Sequence, residues 1–347
     1  MPAGGCRALA AARQALLPSV GDAGVNDAPY LTYSRYLRDR FGCVVYRVAV
    51  DAGFGCPNRK SGRGSGGCIY CGENGSRAPY LERAEGADGA ARASGTGSLQ
   101  RQIEASIAFV RRRYSAAAFI LYFQAFSNTN APVGELARIY DEGLAAAPFL
   151  GLTVATRPDC IDEQKARLLS SYKERGLEVW VELGLQSAND RTLQLIDRGH
   201  NAADYLRAYG ILKAAGVKVA VHLILGLPGE RAIDMERTAR FVAGLEPDGV
   251  KIHNLHIPTD TPLARDFLRG EVTAPGPERH MEYAIALLER LPAETVVMRL
   301  ASDTPAGRLA APRRFWSKHR FAVRLAEEMR RRGGRQGRLF AAGAVRA

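Results

Sequence analysis

The sequence predicts an α/β protein, a partial (βα)6 TIM-like barrel with a small C-terminal α/β extension. Short β-rich runs alternate with helical stretches, and this alternation indicates parallel strands joined by right-handed crossovers. Several of these runs are apolar at consecutive positions, as expected of strands buried on both faces. Because six strand–helix units are fewer than the eight of a closed barrel, we expect a wide mouth at the carboxyl ends of the strands.

Local patterns place each element in order. The predicted strands span residues 43–50, 119–123, 151–155, 178–184, 217–225 and 249–255. The predicted helices between them span residues 99–114, 133–146, 162–175, 202–214 and 232–244.

The predicted barrel covers residues 30–274 and is followed by an accessory region, 275–340. Within that region, residues 294–300 have the pattern of one more strand, and residues 316–332 that of a basic amphipathic helix. The other segments are predicted to be a disordered Ala- and Gly-rich extension, a low-complexity insert and a tail, at 1–29, 83–98 and 341–347.

The bulk composition is that of an ordinary globular protein, with 347 residues, of which 46% are hydrophobic and 24% charged. No apolar run approaches the ~20 residues that a membrane span needs. Arg13 interrupts the mildly apolar stretch near the start, so the sequence lacks a compact signal-peptide core. We therefore expect a cytoplasmic protein without a membrane segment.

The net charge of +12 is unevenly distributed. Residues 313–338 hold ten Lys and Arg against only Glu327 and Glu328, so this segment alone contributes +8. A dense basic surface favours polyanions such as RNA. The alternative is a solvated helix face followed by a loose tail.

Three of the six cysteines, Cys56, Cys68 and Cys71, lie within sixteen residues directly after the first predicted strand. Glycines between Cys56 and Cys68 allow the backbone to wrap closely around a bulky group. Three thiolates on a four-iron cluster leave one iron open, as a catalytic metal requires. The alternative is a structural zinc site, for which Cys68-x-x-Cys71 is a common hairpin, although the fourth ligand is missing nearby.

These features resemble the radical S-adenosylmethionine superfamily, above all its YhcC-type proteins and more distantly the radical domain of the Elongator catalytic subunit. The Cys-x11-Cys-x2-Cys spacing is that of the YhcC-like group. Further stretches that match are 122–128, 156–160, 180–187, 198–200 and 222–230.

The resemblance implies that Cys56, Cys68 and Cys71 bind a [4Fe–4S] cluster whose open iron takes S-adenosylmethionine. Reductive cleavage would give a 5′-deoxyadenosyl radical that abstracts hydrogen from a substrate. It also implies an electron donor of the flavodoxin or ferredoxin type. The Elongator resemblance and the basic segment 313–338 favour RNA, such as a tRNA base, as substrate. A non-catalytic zinc or nucleic-acid-binding module is the alternative.

The resemblance assigns Tyr70 to the adenine of S-adenosylmethionine, and it places Ile224 and Gly226 where adenine approaches the fifth strand. Gln124 and Ser127 take the methionine-binding position after the second strand.

Glu182 and Gln186 end the fourth strand, where contacts to ribose and methionine usually fall. The resemblance pairs Arg198 with the methionine carboxylate; the alternative is an arginine at a helix end on the surface.

Cys160 follows the third strand, so we predict that it faces the mouth and could relay or quench a radical. The alternative is a buried cysteine that only packs. For His222, His253 and His256, lining the pocket and packing in the core are equally open.

Overall fold

The computed structural model describes residues 27–75, 77–78, 99–304 and 306–341. The predicted extension up to residue 26, the insert at 83–98 and the tail from residue 342 lie outside this part of the chain. The strands are β1 Val45–Val50, β2 Ala118–Phe123, β3 Phe149–Thr156, β4 Glu178–Gln186, β5 Lys218–Leu225, β6 Gly249–Asn254, β7 Ile257–Pro258, β8 Val296–Arg299 and β9 Leu309–Ala311. The α-helices are α1 Tyr33–Phe41, α2 Leu99–Tyr114, α3 Val133–Ala145, α4 Glu163–Glu174, α5 Asp190–Leu195, α6 Ala202–Ala214, α7 Ala232–Gly244, α8 Pro262–Leu268, α9 Pro277–Leu288 and α10 Lys318–Arg331.

Seven strands form one parallel sheet in the order β1-β2-β3-β4-β5-β6-β8, and helices connect its neighbours. This confirms the predicted partial α/β barrel. The strand predicted at 294–300 becomes β8, which pairs in parallel with β6 and extends the same sheet. The sequence pattern gave its type but not its partner, because a short apolar run carries no information on which edge it joins.

The helices cover the outer face of the sheet, and their ends are set by local side chains. At the start of α6, Asn201 accepts a hydrogen bond from the Asp204 backbone, and the Asp204 side chain accepts one from the Asn201 backbone. At α4, the Asp162 side chain caps the Lys165 amide. Such caps fix where each crossover ends and the next strand begins.

The amino end of the barrel is closed by α1. Its Tyr33 and Leu37 pack with Ile120, Trp180 and Val296 in a buried apolar cluster inside the strands. This plug leaves the carboxyl ends of the strands as the face where polar side chains can collect.

The C-terminal extension packs closely on the barrel. Phe321 and Met329 of α10 are fully buried in the main core. The Gln336 amide donates to the carbonyls of Pro292 (2.6 Å) and Thr295 (2.8 Å), and its oxygen accepts from the Leu31 amide (2.9 Å). Among the described residues, no helix is both long and apolar enough to span a bilayer. The boundary at residue 275 stays a prediction.

Candidate active site

A cavity of ≈ 340 Å³ opens at the carboxyl ends of the strands. Its walls come from the cysteine loop after β1, the ends of β2 to β6, and the segment after β8. Cys56, Cys68 and Cys71 all line it, and all three are free cysteines. The site therefore lies on the face that the sequence predicted as the mouth of the barrel.

The eleven residues between Cys56 and Cys68 fold back on themselves. The Cys56 amide donates to the Gly62 carbonyl (2.6 Å), and Arg59 forms an antiparallel bridge with Gly66. A Cβ on Gly55 would stand 2.8 Å from the Gly62 Cα, which is too close for any other residue. This closed turn explains the glycine density, because it returns the chain so that Cys56 and Cys68 share one cavity.

Arg59 ties the loop to the third cysteine. Its guanidinium donates to the carbonyls of Cys71 (3.1 Å) and Gly72 (2.7 Å) and to the Cys71 Sγ (3.1 Å). Its side chain also lies over the Phe126 ring. Burial raises the pKa of Cys71, and the charge of Arg59 opposes that rise. The sequence did not reveal this role of Arg59, because only the glycines and cysteines of the loop form a recognisable pattern.

Arg198 holds a second thiol from the opposite side. Its Nη1 lies 3.6 Å from the Cys68 Sγ, and its Nη2 donates to the Gly184 carbonyl (3.0 Å). Arg157 donates to the Arg198 carbonyl (2.9 Å) and so fixes this segment. Burial alone would raise the pKa of Cys68, but the charge and hydrogen bond of Arg198, together with the charge of Arg157 and the hydrogen bond of Tyr70, lower that pKa. A lowered thiol pKa favours the thiolate, which is the form that binds metal.

Several buried polar atoms around the cavity lack a hydrogen-bond partner in the described part of the chain. They belong to residues that all line the cavity: Ser127 Oγ, Arg157 Nη1, Gln186 Oε1, Arg198 Nε, His222 Nε2 and Asn254 Nδ2. Because buried polar groups are normally paired, this set of donors and acceptors fits a polar ligand. The amino group and the ribose hydroxyls of S-adenosylmethionine can donate hydrogen bonds to the unpartnered acceptors. Its carboxylate can accept hydrogen bonds from the unpartnered donors.

Gln186 reaches the cavity through a local distortion of β4. The pairing of β4 with β5 shifts register between Gly184 and Gln186, and Gln186 has a φ of 73°. A left-handed conformation is unfavourable for glutamine and is found mostly where function requires it. A Cβ at Gly184 would lie 2.7 Å from both the Arg198 Nη2 and the Gln186 Nε2, so any larger residue there would displace the ends of these two side chains.

The inner wall of the cavity holds a buried ion cluster around Glu182. One Glu182 oxygen accepts from Arg47, and the other accepts from Tyr122 (2.5 Å) and Lys251 (2.6 Å). Glu182 is 1% exposed and Lys251 is 3% exposed. Burial alone would raise the pKa of Glu182, but Lys251 and Arg47 hold it well below its usual range.

Most residues that the resemblance assigned to ligands line this one cavity. Besides the cysteines, they are Tyr70, Gln124, Ser127, Glu182, Gln186, Arg198 and Ile224. Their individual roles stay predictions. The histidines that were left open, His222, His253 and His256, also line it.

Two assigned residues stand apart from the cavity lining. Gly226 has a φ of 83°, and a Cβ there would lie 2.3 Å from the Pro275 Cγ, so the position requires glycine for the turn and for packing. Cys160 is 3% exposed, and burial raises the pKa of its thiol to about 12. Cys160 is buried outside the cavity lining, and its role as a radical relay stays a prediction.

The described residues contain no group of three or more His, Cys, Asp or Glu side chains arranged around a single metal ion. A [4Fe–4S] cluster differs because each thiolate binds a different iron.

Two family models match the chain, and together they cover the residues that line this site. The radical SAM superfamily model covers residues 53–242, and the radical SAM C-terminal domain model covers residues 247–331. The chain therefore belongs to the radical SAM superfamily, as its motifs predicted, and it is a radical SAM enzyme. Enzymes of this superfamily generally bind a [4Fe–4S] cluster and S-adenosylmethionine and need an electron donor.

The chain is also similar to individual proteins. YtqA of Bacillus subtilis is 34% identical over 313 residues, which are 90% of this chain and 92% of that protein. YhcC of Escherichia coli is 34% identical over 285 residues, 82% of this chain and 86% of the relative. A tRNA uridine(34) acetyltransferase of Dehalococcoides mccartyi is 32% identical over 162 residues, 45% of this chain and 34% of that protein.

The structure of archaeal Elp3 from Methanocaldococcus infernus is similar in fold, with a TM-score of 0.63 at 19% identity. The match covers 84% of this chain and 64% of that chain.

Proposed function

We propose that Cys56, Cys68 and Cys71 bind a [4Fe–4S] cluster and that S-adenosylmethionine fills the adjoining cavity. The observation that supports this most is the convergence on one cavity of three free thiols and six polar atoms that have no hydrogen-bond partner among the described residues. When bound, the reduced cluster and S-adenosylmethionine supply a 5′-deoxyadenosyl radical that abstracts hydrogen from a substrate. The electron donor is of the flavodoxin or ferredoxin type, and the reaction takes place in the cytoplasm.

The cavity orients S-adenosylmethionine by offering an apolar surface to one end of the molecule and polar groups to the other. Tyr70 and Ile224 belong to an apolar group with Leu227 and Leu255, which provides a surface for adenine. The amide oxygen of Gln186 and the Arg198 Nε provide an acceptor and a donor for the polar groups of the methionine moiety.

The metal content of anaerobically purified protein tests the proposal. We expect about four irons per chain and a brown colour, because three thiolates and one exchangeable ligand complete the four corners of a cluster. A colourless protein with one zinc per chain would instead support the non-catalytic zinc module.

Arg59 is expected to tune the cluster, because hydrogen bonds to cluster sulfurs influence the reduction potential. In Arg59→Gln, the loss of a cation 3.1 Å from the Cys71 Sγ should make the potential more negative, because the reduced cluster carries one more electron. A redox titration followed by electron paramagnetic resonance measures the shift. Lys60→Gln, an exposed cation of the same loop, is the control and should leave the potential unchanged; equal shifts in both variants would show only a general charge effect.

We propose that the substrate is an RNA, and that the basic segment 313–338 contacts its phosphates. In this segment, Arg330, Arg331, Arg332 and Arg338 are paired with carboxylates. Among the exposed arginines of the segment that have no carboxylate within ion-pair distance in the described chain are Arg313, Arg314, Arg320 and Arg324. They lie close in sequence to Lys318, which itself lines the cavity. One relative is named a tRNA uridine(34) acetyltransferase, and tRNA is therefore the first class of RNA to test.

Replacing those four unpaired arginines with glutamine should weaken tRNA binding and flatten its salt dependence. Four lost phosphate contacts reduce the slope of log K against log salt by about 3. The measurement is a tRNA titration at several salt concentrations. Glutamine at the four paired arginines, 330, 331, 332 and 338, removes the same charge and should change the slope by less than half as much. A flat salt dependence in the unmodified protein would remove the case for RNA.

A further inference from the structure

The cavity carries far more positive than negative charge. Two carboxylates line it, Glu182 and Asp303. Eight lysines and arginines line it: Arg59, Arg77, Arg157, Arg198, Lys251, Arg299, Arg308 and Lys318. Arg59 and Arg198 lie against thiols that would carry the cluster, so their charge has a counterpart in the proposed function. Lys251 is paired with Glu182, whereas Arg299 on the neighbouring strand needs another explanation.

These two cations belong to one row across the inner wall of the barrel. The strand register places His222 of β5 beside Lys251 of β6, and Lys251 beside Arg299 of β8. His253, two residues along β6, packs on His222 with ring centroids 4.5 Å apart. We call these four residues the cationic row. All four line the cavity.

The cationic row has no anion of its own to neutralise Arg299. The Arg299 guanidinium donates to the His253 Nε2 (2.8 Å), and no carboxylate of the described chain lies within ion-pair distance of it. The Glu182 carboxylate is already shared by Arg47, Tyr122 and Lys251. Asp303, the other carboxylate of the cavity, pairs with Lys318 at 3.2 Å.

His222 and His253 do not neutralise Arg299, because a histidine side chain is either neutral or positively charged, and burial keeps both in the neutral form. Burial lowers the pKa of both His222 and His253 well below the ordinary value. A neutral His253 presents a ring nitrogen that accepts from Arg299 and holds the guanidinium in place. Burial also lowers the pKa of Lys251 to about 7, so a nearby anion would favour its charged form.

Arg299 is half-buried in the cavity wall, and a cation there with no carboxylate of the described chain in ion-pair distance is well placed to pair with an anionic group. We propose that the cationic row is an oxyanion site for the substrate, in which Arg299 and Lys251 bind a carboxylate or phosphate group. This inference rests on the proposed function, since it assigns one part of the same cavity to the substrate and leaves the thiol side to S-adenosylmethionine. The anionic group would thus anchor the substrate opposite the cysteines.

Binding of small anions tests this site. The probes are inorganic phosphate and acetate, each titrated calorimetrically into anaerobic protein saturated with S-adenosylmethionine, which occupies the Arg198 side. We expect one saturable site for at least one anion, and at least a tenfold loss of its affinity in Arg299→Gln. Tighter binding of phosphate indicates a phosphate-bearing substrate, and tighter binding of acetate a carboxylate-bearing one. Arg299→Lys keeps the charge and should retain most of the affinity.

Arg167→Gln on α4 is the matched control, because it removes one exposed arginine charge away from the cavity lining and should change the affinity less than twofold. Iron content and S-adenosylmethionine affinity of Arg299→Gln should equal those of the unmodified protein. The site would be refuted if neither anion saturates, if Arg299→Gln binds them as before, or if it loses S-adenosylmethionine by the same factor. Failure of the proposed function would appear separately, as absence of iron, because the anion titration can also be performed on protein without a cluster.

Discussion

Cys68→Ala is expected to purify without a stable [4Fe–4S] cluster and to cleave no S-adenosylmethionine. Cys68 is the most buried of the three thiols and the one whose pKa Arg198 lowers, so its loss removes the ligand best prepared as a thiolate. Two remaining thiolates leave two irons without protein ligands. Cys56→Ala and Cys71→Ala should behave alike. Iron analysis and the visible absorption of the anaerobic protein measure the result.

The matched control is Cys160→Ala, which removes a buried free cysteine that does not line the cavity. It should keep its iron. A cluster that survives the loss of all three loop cysteines would contradict the proposed ligand set. If Cys160→Ala keeps its iron but loses product formation, the result would support the predicted radical relay.

Glu182→Gln is expected to lower the free energy of unfolding by about 3–5 kcal/mol, because it leaves Arg47 and Lys251 buried without their carboxylate. Glutamine keeps the volume of the side chain, so the loss reports on charge rather than on packing. Urea unfolding followed by circular dichroism measures it.

Glu142→Gln is the control for this prediction. Glu142 pairs with Arg138 at 3.2 Å on the surface of α3, where both side chains are more than half exposed. An exposed pair contributes less than about 1 kcal/mol, so this variant should unfold almost as the unmodified protein does. Equal losses in the two variants would mean that the cluster around Glu182 is not the stabilising feature inferred from its burial.

Sequence periodicity was sufficient for the elements that pack on one face. The helices predicted at 99–114, 202–214 and 232–244 have the bounds of α2, α6 and α7, because a helix against a sheet needs an apolar stripe at a fixed spacing. The partner of β8 could not be predicted, because register across a sheet depends on contacts distant in sequence.

The part of the site that comes from one sequence motif could be predicted. The part in which charged residues come together from separate strands could not. Three cysteines close in sequence indicate a set of metal ligands without any structural information. Lys251 and Arg299 are 48 residues apart and meet because β6 and β8 are neighbours. A lysine or arginine inside an apolar strand is the signal that could have found them, since such residues are rarely buried without a purpose.

Reaction of the anaerobic protein with S-adenosylmethionine and dithionite tests the central claim most directly. With its cluster intact, the protein should convert S-adenosylmethionine to methionine and 5′-deoxyadenosine, identified by mass spectrometry, and Cys68→Ala should form neither. A protein that holds about four irons per chain and binds S-adenosylmethionine, yet gives no 5′-deoxyadenosine on reduction, would contradict the account.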